Sequence, residues 1–179
     1  SIALAACSQQ SNEQAPPQPA PASTAPAKAA STAPAAAEVS AVNPFLEPST
    51  LPFQAPPFDK IKDGDYQPAF EEGMKQHLAE IEKIADNPEP PTFENTFIPM
   101  EQSGQLLGRV MHAFDAVSGA NTNDTLQKVQ EEEAPKFAEH QDAIVLNDKL
   151  FKRIEAVYEQ RDSLKLDPES KRLVEVTYQ

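Results

Sequence analysis

Residues 65–88, DYQPAFEEGMKQHLAEIEKIADNP, carry the periodicity that decides the fold. Phe70, Met74, His77/Leu78, Ile81 and Ile84/Ala85 recur at the spacing of one apolar helix face. Asp65 is the expected N-cap. Pro68 falls in the first turn, where its missing N–H costs little. Asn87-Pro88 supplies the stop. Strand alternation of comparable length is absent, so the reading from Asp59 onward is all-α.

Working toward the C-terminus, the same period returns four times. A second helix is expected from about Phe93–Thr96 to Val117/Ser118, with Phe97, Met100, Gly104, Leu107, Met111, Phe114 and Val117 as its stripe. Gly104 and Gly108 make a GxxxG spacing, read as close helix packing because Gln102, Gln105 and Arg109 are too polar for a membrane dimer. Pro99 either limits the helix start or kinks its first turns. Gly119 to Thr122 is the expected stop. A third helix should begin after an Asn123 cap and carry Leu126, Val129, Phe137 and Ile144/Val145, with a kink or break at Pro135. Glu131-Glu132-Glu133 is expected on a solvated face. Asn147 can cap a fourth helix bearing Leu150, Phe151, Ile154, Val157 and Tyr158. Asp167-Pro168 opens a fifth, with Leu173, Val174 and Val176.

Toward the N-terminus the composition changes. Of the 18 Pro in 179 residues, 11 lie within residues 1–57, and all five Gly lie after residue 63. Residues 43–58, NPFLEPSTLPFQAPPF, mix Phe45, Leu46, Leu51, Phe53 and Phe58 with five prolines, which suggests an extended strap on a folded body. Residues 8–42 are a Pro/Ala-rich tract with almost no bulky apolar side chain, which predicts a disordered, semi-rigid linker. Residues 1–7, SIALAAC, end on the single cysteine. Leu4-Ala5-Ala6-Cys7 resembles the lipobox of bacterial lipoproteins, and residues 1–7 read as the remnant of a secretory signal. That resemblance implies a lipid on the Cys7 thiol. Ser8, which is not Asp, implies the outer membrane. The organisation is therefore 1–7 signal remnant and lipobox, 8–42 linker, 43–58 strap and 59–179 helical region.

Charge and cysteine content narrow the function classes. The net charge of −13 repels phosphate backbones, which argues against nucleic-acid partners. One cysteine excludes a disulfide framework or a Cys-rich zinc module within the chain. No apolar run reaches the ~18 residues of a membrane span.

The chemistry-bearing motifs are sparse. His77, His112 and His140 are the three histidines, and none is followed by Glu, so HExxH is absent. Glu139-His140 would end an inverted HxxEH motif only if position 136 were His, and it is Lys136. The sequence holds no GxSxG, Walker or GxGxxG pattern. Asp63-Gly64-Asp65 is too short for a calcium loop, and Asn123-Asp124-Thr125 fits a glycosylation acceptor only incidentally. On residues alone no catalytic or metal site is assigned, and Cys7 is the only modification candidate.

Residues 43–74 (NPFLEPSTLPFQAPPFDKIKDGDYQPAFEEGM), 90–110 (PPTFENTFIPMEQSGQLLGRV), 118–124 (SGANTND) and 150–168 (LFKRIEAVYEQRDSLKLDP) resemble the N-terminal region of the zinc peptidases related to thimet oligopeptidase. The peptidyl-dipeptidase branch is the nearest in pattern. Pro99 departs from it, where a helix former is usual. The resemblance implies a two-lobed, channel-containing helical peptidase that releases dipeptides from the C-termini of short peptides. It implies one zinc ion held by ligands outside this chain, with these helices as a non-catalytic channel wall, inactive alone. It also implies a monomer, and the lipobox resemblance places it in the bacterial envelope, lipid-anchored to the outer membrane and facing the periplasm. A related oligopeptidase with internal cleavage, or a non-enzymatic helical lipoprotein acting as a binding module, stays open as an alternative. The chain is expected to be a piece of a longer polypeptide, poorly packed by itself.

Overall fold

Tyr66–Ala85 forms one continuous helix, α1, and everything else is arranged along it. The structure is a computed structural model, and it describes residues 42–179. The lipobox with Cys7 and nearly all of the Pro/Ala tract lie outside the described residues. After α1, a π-helical turn at Phe93–Phe97 runs into the short α2 (Ile98–Gln102). Then come α3 (Gln105–Asn121), α4 (Asp124–Val145), α5 (Asp148–Gln160) and α6 (Pro168–Tyr178). Short 3-10 turns occupy Pro52–Gln54 and Asp63–Asp65. The described residues contain no strand, as the all-α reading expects.

The stripe of α1 serves two cores. Its first half, with Tyr66, Phe70 and Met74, packs with Phe45, Leu107, Val110, Phe114, Leu126 and Val129. The rings of Tyr66 and Phe70 meet Phe114 edge-on at 5.2 and 5.3 Å, a favoured aromatic geometry. Its second half, with Ile81, Ile84 and Ala85, packs with Phe97, Leu150, Ile154, Val157 and Val174. Each such fully buried apolar side chain contributes about 1.5–3 kcal/mol over its exposed state.

Three helix starts follow the sequence signals. Asn123 Oδ1 accepts the Leu126 N–H at 3.0 Å. Asn147 Oδ1 accepts from Lys149 and Leu150, and Asp167 Oδ1 from Glu169 and Ser170. Each bond satisfies a helix-start donor that has no intrahelical partner.

Other expectations are corrected. The expected second helix is two helices, because the run that holds Pro99 stops at an extended Ser103 and α3 starts after a left-handed Gly104 (φ 69°). Gly104 and Gly108 therefore do not form a packing face, and a Cβ at Gly108 would meet nothing within 4 Å. The close approach is at Gly73, where a Cβ would sit 3.0 Å from the Leu107 Cα. Asp65 does not cap α1. It lies in the preceding 3-10 turn and its Oδ2 accepts the Lys62 N–H at 2.8 Å. α4 runs unbroken through Pro135, an exposed position, so the expected break is absent. α3 runs on to Asn121 before the chain turns.

The strap is held at one end. Phe45 is buried, its carbonyl accepts from Arg109 Nη2 at 3.3 Å, and Asn43 Nδ2 donates to the Asp65 carbonyl at 2.7 Å. Beyond it Leu46, Leu51, Phe53 and Phe58 are exposed.

Candidate functional site

The polar chemistry of the chain gathers where α1 crosses α4 and the α2–α3 break. His77 projects from α1 and His140 from α4, with His77 Nδ1 3.0 Å from His140 Nε2. On its other side His77 Nε2 lies 3.1 Å from Ser103 Oγ. Ser103 Oγ in turn donates to the Met100 carbonyl at 2.6 Å.

Donor counting fixes the protons. Ser103 has spent its hydrogen on Met100, so it can only accept from His77 Nε2–H. His77 Nδ1 is then an acceptor and takes the proton of His140 Nε2–H. His140 Nδ1 is left as a bare acceptor, buried and without a partner. Both rings are held below the ordinary imidazole value. Burial is the main cause for each, and His77 adds to it at His140. The Glu80 carboxylate opposes the shift at His77.

A serine and two histidines in line look like a nucleophile, its base and an orienting group. The proton directions run the wrong way for that, because His77 donates to Ser103. The N–H next to the serine, at Gly104, donates to Glu80 Oε2 at 2.7 Å. A carboxylate there would repel the oxyanion that acyl transfer develops. The cluster is a clamp: it ties α1, α4 and the α2–α3 break together. Gly104 is required in it, since a Cβ would meet the His77 ring at 3.2 Å.

Two further buried polar groups reinforce the frame. Glu133 is fully buried, against the expectation of a solvated acidic run; Glu131 and Glu132 are exposed as expected. Glu133 Oε1 accepts from Lys136 Nζ at 2.8 Å, and Lys136 also bonds Glu71 on α1. The two carboxylates hold the Lys136 pKa above its usual value. Glu133 Oε2 has no partner. At the other end, the buried Arg153 donates Nη1 to the Asn87 and Glu89 carbonyls at 2.8 and 3.0 Å, and Nη2 to Asn95 Oδ1 at 2.8 Å. That fixes the loop between α1 and the π-helical turn. Beside it an open groove of about 400 Å³ is lined by Glu80, Lys83, Asn87, Asn95, Gln102 and Ser103, with Ile84 and Pro99.

His112 is exposed and contributes to none of this; it borders a smaller cavity with Phe45 and Arg109. Among the described residues no group of three or more His, Cys, Asp or Glu is placed to hold a metal ion. The zinc implied by the resemblance thus has no fitting ligand set in this part of the chain. No described helix is long and apolar enough to cross a membrane. Sequence reasoning missed the His77–His140 pair. The sequence places His77 beside the α1 stripe and gives no signal for His140, so it says nothing of who meets whom.

No family model matches the chain. It is 52% identical over 138 residues to the dipeptidyl carboxypeptidase of Escherichia coli (strain K12), a match covering 77% of this chain and 20% of that protein. It is 50% identical over 137 residues to the dipeptidyl carboxypeptidase of Salmonella typhimurium (strain LT2), with 76% and 20% covered. Similarity to oligopeptidase A of Escherichia coli (strain K12) is lower, 23% over 108 residues, covering 60% of this chain and 16% of that protein. The chain spans about 20% of the length of the first two relatives. Over its matched residues, the chain is similar to the dipeptidyl carboxypeptidases, which are peptidases.

Proposed function

We propose that these helices form a non-catalytic wall of the substrate channel in a peptidase that releases dipeptides from the C-termini of short peptides. The observation that carries the reading is the pairing of 52% identity to a dipeptidyl carboxypeptidase with only 20% coverage of it. The site geometry is consistent with it: the hydrogen bonds of His77, His140 and Arg153 hold helices and the loop between them together. A zinc ion, as the family resemblance implies, would be held by residues outside these 179. Cleavage inside peptides is the second reading, and the similarity to oligopeptidase A that goes with it is lower. A non-enzymatic helical lipoprotein is a third. In each of them Cys7 would carry the lipid and place the protein in the bacterial envelope, facing the periplasm from the outer membrane, as a monomer.

The test begins with the gene. A reading frame that continues past Gln179 into HExxH supports the peptidase, and a stop codon there supports the binding module. The complete product should release dipeptides from a blocked tetrapeptide, and chelation should abolish it. The 179-residue chain alone should release none. Internal cuts as the sole products would favour the second reading. Acyl mass on Cys7 tests the anchor.

A further inference from the structure

His140 is hydrogen-bonded at one ring nitrogen and idle at the other. Its Nε2–H donates to His77 Nδ1 at 3.0 Å, while its Nδ1 is buried and without a partner. The His77 ring is engaged at both nitrogens, because its Nε2–H donates to Ser103 Oγ at 3.1 Å. A proton added to the pair therefore has two places to go. On His77 Nδ1 it would set two N–H groups against each other across 3.0 Å and break the bond. On His140 Nδ1 it leaves that bond in place, so the first proton belongs there. The imidazolium so formed is buried, and its new N–H has no acceptor in that position. Burial already holds His140 below the ordinary imidazole value, and the neighbouring His77 adds to this.

Relief lies beside the ring. A cavity of about 330 Å³ at the α1–α4 crossing is lined by His140, Glu71, Glu139 and Lys136, with Met74 and Leu78. Two carboxylates face it against one ammonium, and Lys136 is already bonded to Glu133 and Glu71. The remaining charge near the pair is Glu80 on α1, which favours a proton on His77 and accepts the Gly104 N–H. The α2–α3 break presents the uncharged Ser103. On α4, Phe137 packs against the first core and Ile144 against the second, which bounds any release to the turns between them.

We propose that His140 is a proton-operated latch on the α1–α4 crossing. Neutral, it bonds His77 and holds these turns of α4 against α1. Protonated at both nitrogens, it turns into the adjacent acidic cavity and lets them go. The proton comes from water, no covalent bond is made, and deprotonation returns the ring to His77. The latch rests on the His77–His140 geometry and on no reading of the catalytic activity.

The experiment uses the product of the complete reading frame. Exchange of the imidazole Cε1 hydrogen, read by mass spectrometry across pH, gives a titration midpoint for each histidine, with the exposed His112 as internal reference. The midpoint of His140 should lie above that of His77. Amide protection over residues 138–143, corrected for intrinsic exchange, should fall by up to about tenfold between pH 7.5 and 5.5, as one proton taken up near pH 6.5 by the released ring requires. Protection over residues 105–114 in α3 should hold. Glu139→Gln should weaken the response. His140→Gln, which keeps a neutral donor for His77, should remove it. The proposal is overturned by a His77 midpoint above that of His140, by unchanged protection over 138–143, by equal loss in α3, or by a response that survives His140→Gln. Should that variant not fold, the order of the two midpoints in the unmodified protein still decides.

Discussion

His77 Nδ1 and His140 Nε2 stand 3.0 Å apart although 63 positions separate them in sequence. The contact joins α1 to α4 beside the apolar packing of the first core, and through Ser103 it reaches the α2–α3 break. The bond requires His77 Nδ1 to carry no proton, and burial disfavours charge on either ring.

Stability should therefore fall in mild acid. Burial holds both imidazoles below their ordinary value, whereas the unfolded chain takes up protons near pH 6.5. The neutral pair's contribution is fully present above about pH 6.5 and is lost as pH falls through the depressed native values. Glu80 on α1 favours the proton on His77, and Lys136 and Glu139 flank His140 on α4, with Glu71 facing them from α1. The urea midpoint of the 179-residue chain should drop between pH 7.5 and 5.5, and His140→Leu should flatten that dependence. An unchanged wild-type midpoint would contradict the assignment.

The glycines should separate into two classes. Gly104→Ala forces a side chain into a left-handed backbone and against the His77 ring, costing about 1–2 kcal/mol. Gly73→Ala pushes a methyl into the Leu107 backbone and should cost more. Gly108→Ala meets nothing in the first turn of α3 and should stabilise by up to about 1 kcal/mol. Equilibrium denaturation of the three variants gives the order directly.

Helix caps such as Asn123, Asn147 and Asp167 were legible because a cap is a local event: one side chain meets a donor two or three residues on. The apolar stripes of α1 and α5 were legible for the same reason. The split at Gly104 was not. Its left-handed φ depends on Glu80 and His77, 24 and 27 positions earlier, and in sequence it mimicked a packing motif. Glu133 looked like its exposed neighbours Glu131 and Glu132 until the helix phase and Lys136 drew it inward. In the site itself, the residue types could be seen but not their partners.

Glu133 and Lys136 form a pair in which only the acid is buried. Lys136→Met leaves a buried carboxylate without its partner and should destabilise more than the double variant Glu133→Leu/Lys136→Met. A double-mutant cycle on urea midpoints measures the difference. Single-variant losses that sum to the loss of the double variant would mean that the pair is not coupled.

Arg153 holds two carbonyls and one side-chain oxygen at once, which a lysine cannot reproduce. Arg153→Lys should cost about 2–3 kcal/mol. It should also raise amide exchange across residues 86–95 while leaving α3 protected.

Melting should begin at the C-terminal end. α6 contributes one fully buried side chain, Val174, to the second core, whereas α3 contributes five to the first. Hydrogen exchange should release α6 and then α5 before α1 and α3, giving a broad transition. A single sharp transition with uniform protection would count against this order.

α1 runs through both cores as a rod of about 30 Å. It acts as a beam shared by two rooms: neither can be tilted without moving the other. A push delivered at Ala85 arrives at Tyr66 largely undiminished, so the first core inherits any displacement that begins at the second.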